Sequence, residues 1–267
     1  MKIASFKASA HLQPYINRYW VWEGEQELPT MLPGTGAELI FQYASSTIEI
    51  QSNHTHTMMP RGVLLQPRFH SLKLVTESRA SFMAVRFRHG ALRHFCKHSL
   101  ADLVDQPISV SAIWGEAGNQ LVAHMQETTT IAQRIALLND FLLKQLQIHH
   151  KQQLWLDKAI NQLYYSLEPL AINSISEQLS LSTRYFQKKF KENYGVTAKY
   201  FQCVTRFEKT LRQLLLTKES YYLDTALAHG YYDQAHFIKQ FKQFTQTTPL
   251  NYLQEKNFRT HFYNKSL

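Results

Sequence analysis

Apolar and polar positions follow different periods in the two halves of the chain. In the first half apolar residues come in short runs at 38–43 (ELIFQY), 47–50 (TIEI), 63–65, 72–75 (LKLV) and 81–87 (SFMAVRF). Pro33-Gly34, Gly36, Pro60, Gly62, Pro67 and Gly90 punctuate them. Several short strands set off by turn residues predict a small antiparallel sandwich or barrel. No β-α-β alternation and no glycine-rich phosphate loop is found, which argues against a nucleotide-binding parallel sheet. From about Ala91 the pattern turns helical. Ile131, Ile135, Leu138, Leu142 and Leu146 recur at steps of three and four, a stripe that packs on the β layer or on a second copy of itself. The polar cluster His149-His150-Lys151-Gln152-Gln153 then marks a boundary. It divides the chain into 1–148, 152–258 and a tail at 259–267.

After Leu154 the pattern is one of short helices with polar breaks. Trp155, Ala159 and Leu163 start one helix, and 174–179 and 182–194 form two more across a tight turn. A longer helix over about 200–216 turns Phe201, Val204, Leu211 and Leu215 inward, and 223–228 and 233–244 make a second pair. Sliding the second pair back by 51 positions aligns Phe186 with Phe237, Phe190 with Phe241, Lys188 with Lys239, Lys191 with Lys242 and Thr197 with Thr248. It also aligns Ser182 with Asp233, both good capping residues placed where the second helix of each pair begins. Two copies of short helix, tight turn and capped helix read as two helix-turn-helix units. The fold class is therefore α+β with two domains: a β-rich barrel- or sandwich-like domain with a helical tail, then an all-α domain.

With the Phe pairs inward, helical geometry puts Arg184, Gln187, Lys188 and Lys191 together on the outer face of the first unit. The matching stripe of the second unit is Ala235, Ile238, Lys239 and Lys242, with Gln234 beside it. Arg and Lys suit guanine acceptors in a major groove, Gln pairs with adenine, and Ala and Ile suit thymine methyls. Lys191 and Lys242 lie beyond the N-terminal turn that reads bases and suit phosphates. Arg206, Lys209 and Arg212 on the joining helix are candidate phosphate contacts. That helix, at 1.5 Å per residue, separates the two units by ~25 Å, and the flanking turns bring this near one DNA turn of ~34 Å.

Charge strengthens the polyanion reading. The 267 residues carry 29 Lys and Arg against 20 Asp and Glu, a formal +9. Residues 1–150 hold 13 against 11, a net of +2, whereas 151–267 hold 16 against 9, a net of +7. Such asymmetry points to nucleic acid or an anionic membrane as partner of the basic half, and five of its cations lie on the two stripes. Two distant cysteines, Cys96 and Cys203, exclude a disulfide scaffold and a cysteine zinc finger. With no apolar leader after Met1 and no membrane-length apolar run, a cytoplasmic location without membrane association is expected.

Residues of about 154–258 resemble the AraC/XylS-type DNA-binding domain. The similarity is carried by the run from Ala226 to Phe237 (ALAHGYYDQAHF), followed by Phe241 and Thr248-Pro249-x-x-Tyr252. Leu181-Ser182 with Phe186, Phe190, Gly195, Thr197 and Phe201, and Arg206-Phe207-Glu208 with Leu214-Leu215, add to it. Gln246 stands where the family usually has Gly, which requires a left-handed position tolerant of Gln or a different backbone. Thr225 replaces a usual aliphatic and Ser176 a usual Ala. The resemblance implies a bacterial transcription regulator that binds promoter or operator DNA and activates by contacting RNA polymerase. Trp20-x-Trp22, Leu32-Pro33-Gly34 with 38–41, and 85–90 faintly resemble sensor-like domains of such regulators. That leaves the effector unknown and homodimerisation open.

Two other readings remain. A metal-dependent β-barrel enzyme fused to a DNA-binding module would draw on His54-x-His56 or His94-x-x-x-His98, with His70, His89 or Cys96 as further ligands. A constitutive DNA-binding protein would use its first half only to dimerise. No nucleophile elbow is present, and neither enzyme activity, cofactor nor bound metal is expected. Tyr15, Tyr19, Trp20, Trp22, Phe41, Tyr43 and Phe69 form the β core or line an apolar effector pocket.

Overall fold

The computed structural model describes residues 2–254 apart from 25–27, 29, 44–46, 53, 54, 66–68, 105, 152, 167, 168 and 218–221. Ten strands come first among the described residues: β1 (Lys2–Phe6), β2 (Ile16–Gly24), β3 (Thr30–Met31), β4 (Glu38–Gln42), β5 (Glu49–Ser52), β6 (Thr55–Met58), β7 (Gly62–Leu65), β8 (Leu72–Val75), β9 (Ala80–Phe87) and β10 (Ile108–Ser109). They make two antiparallel sheets rather than one closed barrel, six strands in the order β1-β2-β9-β4-β7-β10 and four in the order β3-β8-β5-β6.

The six-stranded sheet is covered on both faces. Trp20, Trp22, Ile40, Val63, Leu65, Phe82 and Ala84 face the smaller sheet, meeting Met31, Ile50, Leu72 and Leu74. The alternate residues Tyr19, Val21, Leu39, Phe41, Leu64, Met83, Val85 and Phe87 face two helices, α1 (Val110–Glu127) and α2 (Ile131–His149). Burial on both sides explains the continuous apolar runs at β4 and β9, since neither face needs polar residues. Leu138 and Leu142 of the α2 stripe are fully buried in this core, so α2 packs on the sheet. Arg134 secures the α1–α2 corner, lying 3.7 Å over the Tyr43 ring and donating to the Met125 carbonyl.

Seven helices follow among the described residues: α3 (Leu154–Tyr165), α4 (Ile172–Gln178), α5 (Thr183–Tyr194), α6 (Ala198–Thr217), α7 (Tyr222–Ala228), α8 (Gln234–Thr245) and α9 (Pro249–Gln254). They build two small cores. Phe186, Phe190, Tyr194 and Phe201 belong to the first, and Val204, Phe207, Phe237, Phe241 and Phe244 to the second. The division falls within α6, so this helix is the shared wall of both. The tail at 259–267 lies outside the described residues.

The β-rich half grips the helical half at defined points. Gly90 adopts a left-handed φ of 69° and lies under the Tyr194 ring. His89 stacks on Tyr164 of α3 with ring centroids 3.8 Å apart. Arg93, fully buried, reaches Asp157 of α3. Glu208 of α6 accepts from the Thr35 backbone N–H at 3.3 Å and from its hydroxyl at 2.9 Å, and faces Arg86 of β9 at 3.5 Å.

Candidate nucleic-acid interface

The two helix pairs are cut to one plan. The Ser182 hydroxyl accepts from the Tyr185 N–H and opens α5, and the Asp233 carboxylate accepts from the His236 N–H and opens α8. The helices that follow each pair are capped alike: Thr197 Oγ1 accepts from Tyr200 N at 3.2 Å, and Thr248 Oγ1 from Asn251 N at 3.2 Å. Such caps satisfy N–H groups that the first helical turn leaves unpaired. Phe186, Phe190, Phe237 and Phe241 are all fully buried. At the far ends Gly195 (φ 79°) and Gln246 (φ 63°) both adopt the left-handed conformation. The backbone required of the glycine position is thus retained, with Gln tolerating it.

The Phe anchors fix what faces outward. Arg184, Gln187, Lys188 and Lys191 are exposed on α5, and Gln234, Ala235, Lys239 and Lys242 on α8, with Ile238 half-buried against its own core. Among the described residues the side chains of Arg184, Gln187, Lys191, Lys239 and Lys242 have no hydrogen-bond or ion-pair partner. Gln234 lies 3.4 Å from the Tyr222 hydroxyl. The turns of the two pairs differ by one residue, four between α4 and α5 and five between α7 and α8. Ser176 is compatible with its fully buried site because its hydroxyl donates to the Asn173 carbonyl at 2.8 Å and meets Thr183.

Arg206 and Lys209 of α6 have partners within the protein. Arg206 donates to the Gly230 carbonyl and to Gln240, with its guanidinium 4.4 Å over the Tyr231 ring. Lys209 donates to the Ser166 carbonyl, and burial holds its amine below the usual lysine range. Both line a cavity of about 370 Å³ between the two pairs. Arg212 is half-buried on the same helix, where its charge acts on the Tyr164 hydroxyl. The two cores share α6, so Arg206 and Lys209 link the two units through these contacts while remaining partly exposed.

Two exposed aromatic rings escaped the sequence reading. Tyr232 is 87% exposed just before the Asp233 cap, and Tyr185 is 45% exposed in the first turn of α5. An aromatic out of phase with the buried Phe stripe is the signal that marks them.

A profile described as a helix-turn-helix domain matches residues 175–255, spanning both pairs and α6. The C-terminal region is an AraC-type helix-turn-helix domain. A stretch of 109 residues is 35% identical to an uncharacterized HTH-type transcriptional regulator of Staphylococcus aureus (strain MSSA476), covering 39% of this chain. That stretch is 14% of the relative's length. The fold as a whole is similar to ToxT from Vibrio cholerae, with a TM-score of 0.53 and 12% identity over 88% of this chain and 97% of that one. ToxT bound to (E)-4-(8-methylnaphthalen-1-yl)but-3-enoic acid gives 0.51 and 13% over 88% and 98%. Residues 4–109, ahead of the AraC-type domain, match a domain of unknown function, DUF6597.

In that first domain the aromatics are chiefly structural. Tyr19, Trp20, Trp22 and Phe41 are buried at 1% exposure or less, and Trp20 meets Phe82 edge-on at 5.1 Å. Tyr43 stacks under Arg134, and Phe69 packs on Tyr200 of α6. Tyr15 borders a cavity at the junction with α3. Among the described residues no three His, Cys, Asp or Glu side chains gather as a metal site, and His54 lies outside them. His94 instead faces Asp157 at 3.7 Å, with His150 stacked beside it. Among the described residues no helix is long and apolar enough to cross a membrane.

Proposed function

We propose that the chain is a sequence-specific regulator of transcription that docks α5 and α8 in successive major grooves of one duplex. The observation that carries this reading is the pair of capped helices that present exposed cations in matching phase, Lys188 with Lys239 and Lys191 with Lys242. The 20 residues of α6 span ~30 Å, close to the ~34 Å of one DNA turn. Arg184, Gln187, Lys188, Gln234 and Lys239 read bases, Ala235 and Ile238 contact thymine methyls, and Lys191 and Lys242 hold phosphates. The AraC-type assignment and the regulator among the relatives support the same reading.

In this reading residues 152–258 bind DNA, and 1–148 receive a signal that sets the fraction of molecules able to dock both helices. The ToxT complex with an aromatic carboxylic acid supports a small-molecule signal. Activation through RNA polymerase in the cytoplasm completes the proposal. Genome-wide mapping of bound DNA followed by footprinting tests it. Protection of two adjacent major grooves on one face is expected, and protection of a single groove, or none, overturns paired docking.

A further inference from the structure

A cavity of about 590 Å³ opens where the first domain, the α2–α3 junction and α3 meet. Its size lies within the ~300–1,000 Å³ usual for small-molecule sites. Arg88 comes from the first domain, Lys151 from the junction, and Asn161 and Tyr165 from α3. One wall is aromatic: Tyr15 meets His94 at 5.1 Å and His150 at 6.0 Å, and the two imidazoles stack at 4.9 Å.

The charges of this lining do not cancel. Its one carboxylate, Asp157, is held by Arg93 and His94, with Arg93 itself fully buried. Arg88 uses its Nε–H on the Gln13 carbonyl at 2.8 Å, and its two terminal nitrogens have no partner among the described residues. The Lys151 ammonium is half-buried with no hydrogen bond or ion pair there either. A cation taken partly out of water without an acid beside it is costly, and two of them bordering one cavity favour an anion between them.

We infer that this cavity binds a small organic or inorganic oxyanion, a carboxylate or a phosphate. Arg88 and Lys151 pair with its charge, Asn161 hydrogen-bonds to it, and Tyr15 and the two imidazoles pack on its flat side. Because the lining comes from both domains, an occupant ties the first domain to α3. The inference deepens the proposal that the first domain receives a signal, naming the site and the ligand class.

Thermal unfolding of the full chain with citrate, inorganic phosphate or benzoate, against chloride at equal ionic strength, tests this. At least one oxyanion is expected to raise the unfolding midpoint saturably. Arg88→Gln and Lys151→Gln should each weaken that anion by about tenfold or more, the value of a lost charge-assisted hydrogen bond. Lys191→Gln on the DNA-facing stripe should leave it unchanged. No shift beyond chloride, or equal shifts in the Arg88 and Lys151 variants, overturns the inference. A shift produced only by double-stranded oligonucleotide, and lost in those variants, also overturns it, assigning the cations to DNA backbone. DNA is absent from the oxyanion arm, so its failure leaves paired docking untouched, and a failed footprint leaves the cavity untouched.

Discussion

The two helix pairs share caps, anchors and lysine positions, yet the rest of the molecule treats them differently. The first is held by the β-rich domain: Tyr194 lies over Gly90, the Ser99 hydroxyl donates to the Glu192 carbonyl, and Asp157 and Tyr164 of the adjoining α3 receive Arg93 and His89. The second is touched chiefly by Leu32, which packs against its core, and is otherwise carried by α6. A change in the first domain therefore reaches α5 directly, but reaches α8 through α6 and the Glu208 latch. Their outer faces differ too, four polar side chains on one and an Ala and an Ile among lysines on the other. One unit is built to be positioned, the other to follow.

The most severe way to break this asymmetry is at Gly90. A Cβ there would stand 1.7 Å from Tyr194 Cε1, on a residue with φ of 69°. The left-handed backbone costs roughly 1 kcal/mol or more, and displacing a packed ring about 1–3. Gly90→Ala should thus destabilise the chain by about 2–4 kcal/mol in urea unfolding. Equal midpoints for the two proteins would mean that the grip on the first pair is not tight.

Acid should loosen the same contact. Burial of the His89 ring against Tyr164, only partly offset by a hydrogen bond to Asn161, pushes its pKa down to about 4. Below pH 6.5 the unfolded chain takes up a proton that the folded chain refuses, so stability falls as pH drops from 6.5 towards 4. The full shift corresponds to about 3 kcal/mol. His89→Phe keeps an aromatic stack and should flatten this slope. His229, half-buried behind the second pair, is lowered in the same direction by burial, then by Lys209. His229→Gln should alter the slope less, as measured by unfolding midpoints from pH 7.5 to 4.5.

On DNA the two faces should separate by kind of effect. Arg184→Ala should cost ~1–3 kcal/mol of specific binding and relax selectivity at one base pair. Lys242→Ala should weaken all sequences alike and reduce the salt slope by about one. Titrations of operator and scrambled duplexes at several salt concentrations distinguish these outcomes. If Arg184→Ala weakens both duplexes equally, the first face holds phosphates and does not read bases.

Legibility in the sequence followed locality. The helix pairs were visible because an amphipathic helix with a Phe at i and i+4 and a capping residue at its start encodes its own phase, and the observed α5 and α8 begin within one residue of the expected positions. β8 likewise matched, its LKLV alternating between core and solvent. β2, absent from the expected strands, shows no period of two because both its faces are buried. That Arg206 and Lys209 reach the Gly230 and Ser166 carbonyls is not legible in the sequence, because nothing local reveals that two cores share α6. The contacts of Gly90, Arg93 and Glu208 join positions 64 to 173 residues apart or rest on a turn's backbone, and no periodicity reports such pairings.

The smallest expected effect concerns the left-handed position that closes each second helix, glycine in one unit and glutamine in the other. Gly195 and Gln246 end α5 and α8 in the same left-handed conformation, each N–H bonding back to a lysine carbonyl, Lys191 and Lys242 respectively. Glycine adopts that conformation freely, whereas a residue with a Cβ is strained there by about 1 kcal/mol. Gln246→Gly should therefore raise stability by about 0.5–1 kcal/mol, the relief being partly offset by the freer unfolded chain. The reverse change is not symmetrical. A Cβ at Gly195 would stand 2.6 Å from Val104 Cγ2 and 2.8 Å from the Leu100 carbonyl oxygen, both in the first domain. Gly195→Gln should thus destabilise by more than the Gln246→Gly gain, because it adds a clash to the backbone strain. Equal and opposite shifts in urea midpoints would remove the first domain's hold on the end of α5 and with it the difference between the two pairs.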